Sequence, residues 1–107
     1  MARWGAEVAV ISKKKRKVNA TFEITFECDP PGANEVALLC DAHGWESVPM
    51  RRSNRGRGPF RTRLALPEGD EAQFRYLVDG TVWLNDEAAD GYIANEFGSD
   101  NSVVAAR

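Results

Sequence analysis

Histidine, cysteine and long apolar runs are all scarce in this chain, and each shortage removes a class of function. One histidine, His43, and two cysteines, Cys28 and Cys40, among 107 residues leave no Cys-x-x-Cys pair and no ligand set for a structural zinc. Two cysteines make no disulfide framework at this length, so two reduced, buried thiols that pack as small hydrophobes are the expectation. No apolar run approaches the ~20 residues a membrane helix requires. The apolar stretch at residues 8–11, preceded by Glu7, is too short for a signal-peptide core, which makes the cytoplasm the expected location. Helical 3.6-residue periodicity is lacking too, beyond a single turn at residues 87–91.

What remains describes one soluble domain. Hydrophobic residues at 43% and charged residues at 28% suit a globular chain, and the length is that of a single domain with an ordinary core. The formal net charge of −2 conceals two opposed halves. Residues 1–63 carry 12 basic and 7 acidic groups, whereas residues 64–107 carry 2 basic and 9 acidic groups. Such halves can help the two ends of one fold, or two copies, find each other.

Period-2 alternation is the dominant local signal. Residues 18–27 read VNATFEITFE, with Val18, Ala20, Phe22, Ile24 and Phe26 on one face, and Asp29-Pro30-Pro31-Gly32 ends the strand. Further strands are predicted over 35–40, over 60–66 (Phe60, Thr62, Leu64 and Leu66 against Arg61 and Arg63), over 72–78 and through Trp83. A last strand is predicted over 102–106. A loop is expected over 41–59 and an acidic loop over 85–101. Short strands separated by turn signals every 8–12 residues indicate an all-β antiparallel sandwich. The domain is expected over 18–107, behind a basic N-terminal tail at 1–17.

Several segments suggest chemistry and are better explained without it. The string KKKRKV at 13–18 looks like a nuclear-import signal or nucleic-acid arm, but a solvated tail accounts for it. Arg51, Arg52, Arg55 and Arg57 form an Arg-Gly loop with no aromatic for base stacking, so nucleic acid is not the expected partner. Asp86, Asp90 and Gly91 fail as a calcium loop, because Phe97 stands where the bidentate glutamate belongs. His43 beside Asp41 and Glu46 has no paired nucleophile, and Ser47 and Ser53 sit in no elbow motif. No enzyme activity, catalytic residue, metal or cofactor is expected.

The tryptophans are more informative. Trp4 lies in the tail, Trp45 in a loop directly after a strand, and Trp83 just beyond the Asp79-Gly80 hairpin turn. Core packing, a protein interface and stacking against sugar rings all remain open for such a pattern. Register decides whether Trp83 faces inward or outward. A two-residue turn pairs Tyr76 with Trp83 on the core face; a three-residue turn pairs Leu77 with Trp83, on the face of Arg75. The longer turn is favoured, because the alternative buries the Arg75 charge.

Residues 35–45 (EVALLCDAHGW), Pro49-Met50-Arg51, Leu66-Pro67-Glu68-Gly69, residues 74–80 (FRYLVDG), Trp83-Leu84-Asn85-Asp86 and residues 97–102 (FGSDNS) together resemble carbohydrate-binding module family 48. This is the early-set domain of isoamylases and branching enzymes, found also as the glycogen-binding module of the AMP-activated protein kinase β subunit. The resemblance runs from Val18 to Ala106 and lies nearest to small stand-alone bacterial early-set proteins. It implies an immunoglobulin-like sandwich that binds α-1,4-glucans such as glycogen, starch or maltodextrin. The family's two stacking tryptophans fall on Trp45 and Trp83, its ligand-contacting lysine on Arg75, and its apolar wedge on Phe97. Ser99 and Asn101 fall at its hydroxyl-bonding positions. Where the family usually has Gly-Asp-Phe-Asn before the spacer residue and the first stacking tryptophan, this chain has Cys40-Asp41-Ala42-His43-Gly44-Trp45. The other reading is a protein–protein adaptor of the same fold that has lost or never had glucan binding and binds a glucan-metabolising enzyme or a second copy; on either reading the chain is expected to be a monomer or weak homodimer.

Overall fold

The computed structural model describes residues 9–16 and 19–107. They form an all-β, immunoglobulin-like sandwich of two antiparallel sheets. The strands are β1 (Ala9–Arg16), β2 (Thr21–Cys28), β3 (Val36–Cys40), β4 (Ser47–Pro49), β5 (Arg51–Arg52), β6 (Phe60–Pro67), β7 (Glu71–Val78), β8 (Val82–Leu84), β9 (Gly91–Ala94) and β10 (Asp100–Ala105). One sheet runs β1-β2-β6-β5 and the other β4-β3-β7-β10-β9. β8 lies beside β10 on the same edge of β7, because β7 pairs through 71–74 with β10 and through 76–78 with β8.

Alternation builds the core. Phe22, Ile24, Phe26 and Cys28 of β2 point inward, as do Phe74, Tyr76 and Val78 of β7 and Leu64 and Leu66 of β6. Phe26 and Phe74 meet edge-to-face across the sandwich at 4.9 Å between ring centroids, and Phe74 packs likewise on Tyr76 at 5.6 Å. Both cysteines are free and buried. Burial pushes the Cys28 thiol up to about 12, which leaves it protonated and inert at neutral pH.

The chain before residue 18 requires a correction. Ala9–Arg16 is no tail: it pairs along its whole length with β2, from Ala9↔Cys28 to Arg16↔Thr21. Ala9 is buried and Ile11 packs against the core, an alternation that the following cations hide. Residues 1–8, including Trp4, and residues 17–18 lie outside the described residues. Other differences are smaller. The loop over 41–59 contains two 3-10 turns besides β4 and β5, the acidic loop over 85–101 contains β9, and the last strand starts at Asp100.

The cations of β1 meet the acidic half of the chain. Lys13 reaches Asp90 at 2.6 Å and Lys15 reaches Glu68 at 2.9 Å, while Arg16 pairs with Glu23. Part of the charge asymmetry is thus consumed within the fold, and charged side chains guard the exposed edge of β1 against pairing with another chain. Lys13–Asp90 also ties the two sheets together, since Asp90 Oδ2 accepts the Ala105 N–H at 2.8 Å. Burial pushes the Asp90 carboxyl up, but the Lys13 ammonium and the Ala105 N–H outweigh it and hold the group below its usual value. A depressed carboxyl contributes stability that is present above the unfolded value, ~3.9, and is lost as pH falls through the folded one. Denaturant unfolding of Asp90→Asn should therefore show a shallower loss of stability below about pH 4 than the parent chain.

Candidate functional site

On the outward face of the larger sheet, β7 presents Gln73, Arg75 and Leu77 between β3 and β8. The hairpin after it is the longer of the two possibilities. Val78 pairs with Val82 and Leu77 with Trp83, around a three-residue turn at Asp79–Thr81 closed by Thr81 N–H donating to the Val78 carbonyl at 3.1 Å. Trp83 consequently points outward beside Arg75, whose guanidinium carbon lies 5.0 Å from the indole ring centroid. Arg75 forms no ion pair among the described residues, and its buried Nε has no hydrogen-bond partner. Desolvation lowers its pKa from the ordinary arginine value.

Trp45 arrives from the other side. After β3, a 3-10 turn over Asp41–His43 leads into two successive left-handed residues, Gly44 at φ 64° and Trp45 at φ 64°. Glycine adopts that conformation freely, whereas a tryptophan there is strained by roughly 1–2 kcal/mol. The Trp45 N–H donates to the Cys40 carbonyl at 2.9 Å and the Gly44 N–H to the Asp41 carbonyl at 3.0 Å, which fixes the turn. Asp41 Oδ1 in turn accepts the Gln73 N–H at 3.0 Å and anchors the turn to β7.

The third wall is the loop at residues 95–99. Asn95 Oδ1 accepts the N–H groups of Phe97 and Ser99 at 2.9 and 3.2 Å, folding the loop around one side chain and raising Phe97 to 83% exposure. Asn95 Nδ2 donates to Asn101 Oδ1 at 3.2 Å, and Asn101 Nδ2 donates to Gln73 Oε1 at 3.1 Å. Asn101 therefore spends half of its amide capacity on lining up its neighbours.

These walls enclose an open cleft of about 860 Å³, within the roughly 300–1,000 Å³ of small-molecule sites. All six residues nominated from the sequence line it: Trp45, Arg75, Trp83, Phe97, Ser99 and Asn101. Leu39, Asp41, Gln73, Asn95 and Glu96 join them and were missed. Gln73 carried a usable signal, because it sits two positions from Arg75 on the same face of one strand. Trp45 and Trp83 keep 41% and 43% of their surface, so neither ring is sealed in the core.

A hydrogen-bonded network ties down the chain just after Trp83. Asp86, fully buried, accepts the Tyr76 hydroxyl at 2.7 Å and the Ala88 N–H at 2.8 Å, while its own N–H donates to Ser102 Oγ at 3.0 Å. Burial pushes the Asp86 carboxyl up, against the hydrogen bonds from Tyr76 and Ala88. Desolvation and the neighbouring carboxylate raise the Tyr76 phenol well above its usual value. Asn85 completes the clamp, accepting Ser102 O–H at 2.9 Å and donating to the Asp100 carbonyl at 2.9 Å. β8, which bears Trp83, is thereby joined to the start of β10, which bears Asn101.

Other residues singled out earlier have structural places. Asp86 is this buried acceptor, and Asp90 is the partner of Lys13. His43 is exposed on the 3-10 turn. Among the described residues, no three His, Cys, Asp or Glu side chains cluster as metal ligands, and no helix is long and apolar enough to cross a membrane.

Fold and site together define an immunoglobulin-like β-sandwich with an aromatic-walled cleft on the outer face of one sheet. The chain matches no protein-family model and no curated protein.

Proposed function

We propose that the chain is a non-catalytic module that binds α-1,4-glucan, such as glycogen, starch or maltodextrin, in this cleft. The observation that carries the reading is the sharing of one open cleft by Trp45, Trp83 and Phe97, with Arg75 between strands and amide side chains behind. A pyranose ring offers an apolar C–H face to an indole and hydroxyls to amides and a guanidinium. The cleft has both kinds of partner. Its ionisable side chains, Arg75, Asp41 and Glu96, sum to −1, which suits a neutral polyol better than an anionic sugar. The resemblance to carbohydrate-binding module family 48 points the same way.

Binding should be weak, because an open cleft leaves much of the ligand in water and each hydrogen bond replaces one to solvent. About −4 to −5.5 kcal/mol, a Kd of roughly 0.1–1 mM, is the expected scale. Titration calorimetry with maltoheptaose tests it. Saturable heat that disappears in Trp83→Ala is the expected result, and no heat from the parent chain at millimolar sugar refutes the reading.

A further inference from the structure

Positions 51–63, which span β5, β6 and the loop between them, hold six arginines and no acidic residue. They are not equivalent. Arg52 is structural: its guanidinium donates to the carbonyls of Gly58 at 2.9 Å and Ala33 at 3.2 Å and to Asp29 at 3.2 Å, and lies 4.3 Å over the Phe60 ring. Ser53 closes the β5–β6 loop, its N–H and Oγ both donating to the Pro59 carbonyl at 3.0 and 2.9 Å. A Cβ at Gly58 would stand 2.5 Å from Ser53 Oγ, so the loop is packed tight at its base.

Arg51, Arg55 and Arg57 do none of this work. All three are exposed, and none forms an ion pair among the described residues. The nearby carboxylates already serve other cations: Glu27 pairs with Arg61, Glu23 with Arg16 and Arg63, and Asp29 with Arg52. Arg51 stands directly opposite Arg61 in the β5–β6 pairing, where like charges repel. Asn54, Arg55 and Gly56 then take three successive left-handed conformations, at φ 49°, 54° and 84°. Arginine gains nothing from that backbone, which glycine adopts without strain. The loop thus holds three unneutralised arginines at a cost in both electrostatics and backbone strain.

We infer that this loop is a second binding site, for the phosphate groups of a polyanionic chain. Arginine's planar fork matches phosphate oxygens in pairs, and three exposed, unpaired arginines within seven residues offer more positive charge than a single monoanion takes up. With no aromatic in the loop, recognition is of phosphates alone and ignores any base. The site is independent of the glucan reading.

Calorimetry with linear inorganic polyphosphate tests it. The parent chain should bind, and its affinity should fall about twenty- to fortyfold between 50 and 200 mM salt, as roughly three phosphate contacts imply. Arg51→Gln/Arg55→Gln/Arg57→Gln should lose at least tenfold in affinity with Tm unchanged or higher. Arg55→Gly should weaken binding with Tm unchanged or higher, since the substitution relieves the backbone. Comparison with homopolymeric single-stranded RNA identifies the source of the phosphates: equal affinity and salt slope indicate a nucleic-acid backbone, and a preference for polyphosphate indicates another phosphorylated chain. Absence of binding, unchanged binding by the triple variant, or equally tight binding of poly-glutamate would each overturn the inference.

Discussion

Asp86→Ala should lower the unfolding free energy by about 3 kcal/mol and Tm by roughly 10–20 °C, the largest stability effect expected from any single polar side chain described here. The substitution strips the acceptor from the buried Tyr76 hydroxyl and from the Ala88 N–H in one step. The orphaned, buried Tyr76 hydroxyl costs about 1–3 kcal/mol and the cavity left by the carboxyl adds to it, whereas the N–H of the exposed Ala88 turns to water; part of the cost is offset because a carboxylate no longer has to be desolvated. Asp86→Asn separates these terms, since it keeps the volume and an acceptor for Tyr76 but removes the charge, and it should cost about 1 kcal/mol. The pH dependence has a definite sign. Burial raises the Asp86 carboxyl above its unfolded value, so its contribution is fully present below ~3.9 and is lost as pH rises through the folded value. The parent chain should therefore lose ground relative to Asp86→Asn between acid and neutral pH in denaturant titrations. A loss under about 1 kcal/mol for Asp86→Ala would show that the clamp after β8 is not held by this residue.

Trp45→Gly should separate affinity from stability. The indole is 41% exposed on a left-handed backbone, so glycine relieves strain while removing one wall of the cleft. Maltoheptaose affinity should fall at least tenfold, about 1.4 kcal/mol, with the unfolding free energy unchanged or raised. Trp45→Ala should lose the same affinity yet sit about 1 kcal/mol below the glycine variant in stability, because its Cβ keeps the strain. If Trp45→Gly instead destabilises the fold by more than about 2 kcal/mol, Trp45 is a packing residue and the strained turn has no bearing on ligands.

Legibility in the sequence followed the range of the interactions. β2 and β7 could be read because their alternation is local, and the outward register of Trp83 followed from refusing to bury Arg75. That one electrostatic argument placed two cleft residues on the same face. β1 was hidden because Ala9 and Ile11 supply only two inward positions before the cations begin, and its pairing partners for Lys13 and Lys15 lie 77 and 53 residues away. β9 was hidden because Gly91–Ala94 is short and mostly exposed. Asp86 read as one more solvated acid among Glu87 and Asp90, since nothing local shows that Tyr76, on the core face of β7, aims its hydroxyl at it. The amides of Gln73, Asn95 and Asn101 meet only once β7, β9 and β10 are side by side.

The most direct test observes the two indoles themselves. In a maltoheptaose titration followed by NMR, the indole N–H signals of Trp45 and Trp83 should shift together along a single saturable curve, and Trp83→Ala should abolish the response at Trp45. Indole signals that stay fixed at millimolar sugar, or a Trp45 response that survives without Trp83, would contradict a glucan chain lying across both rings.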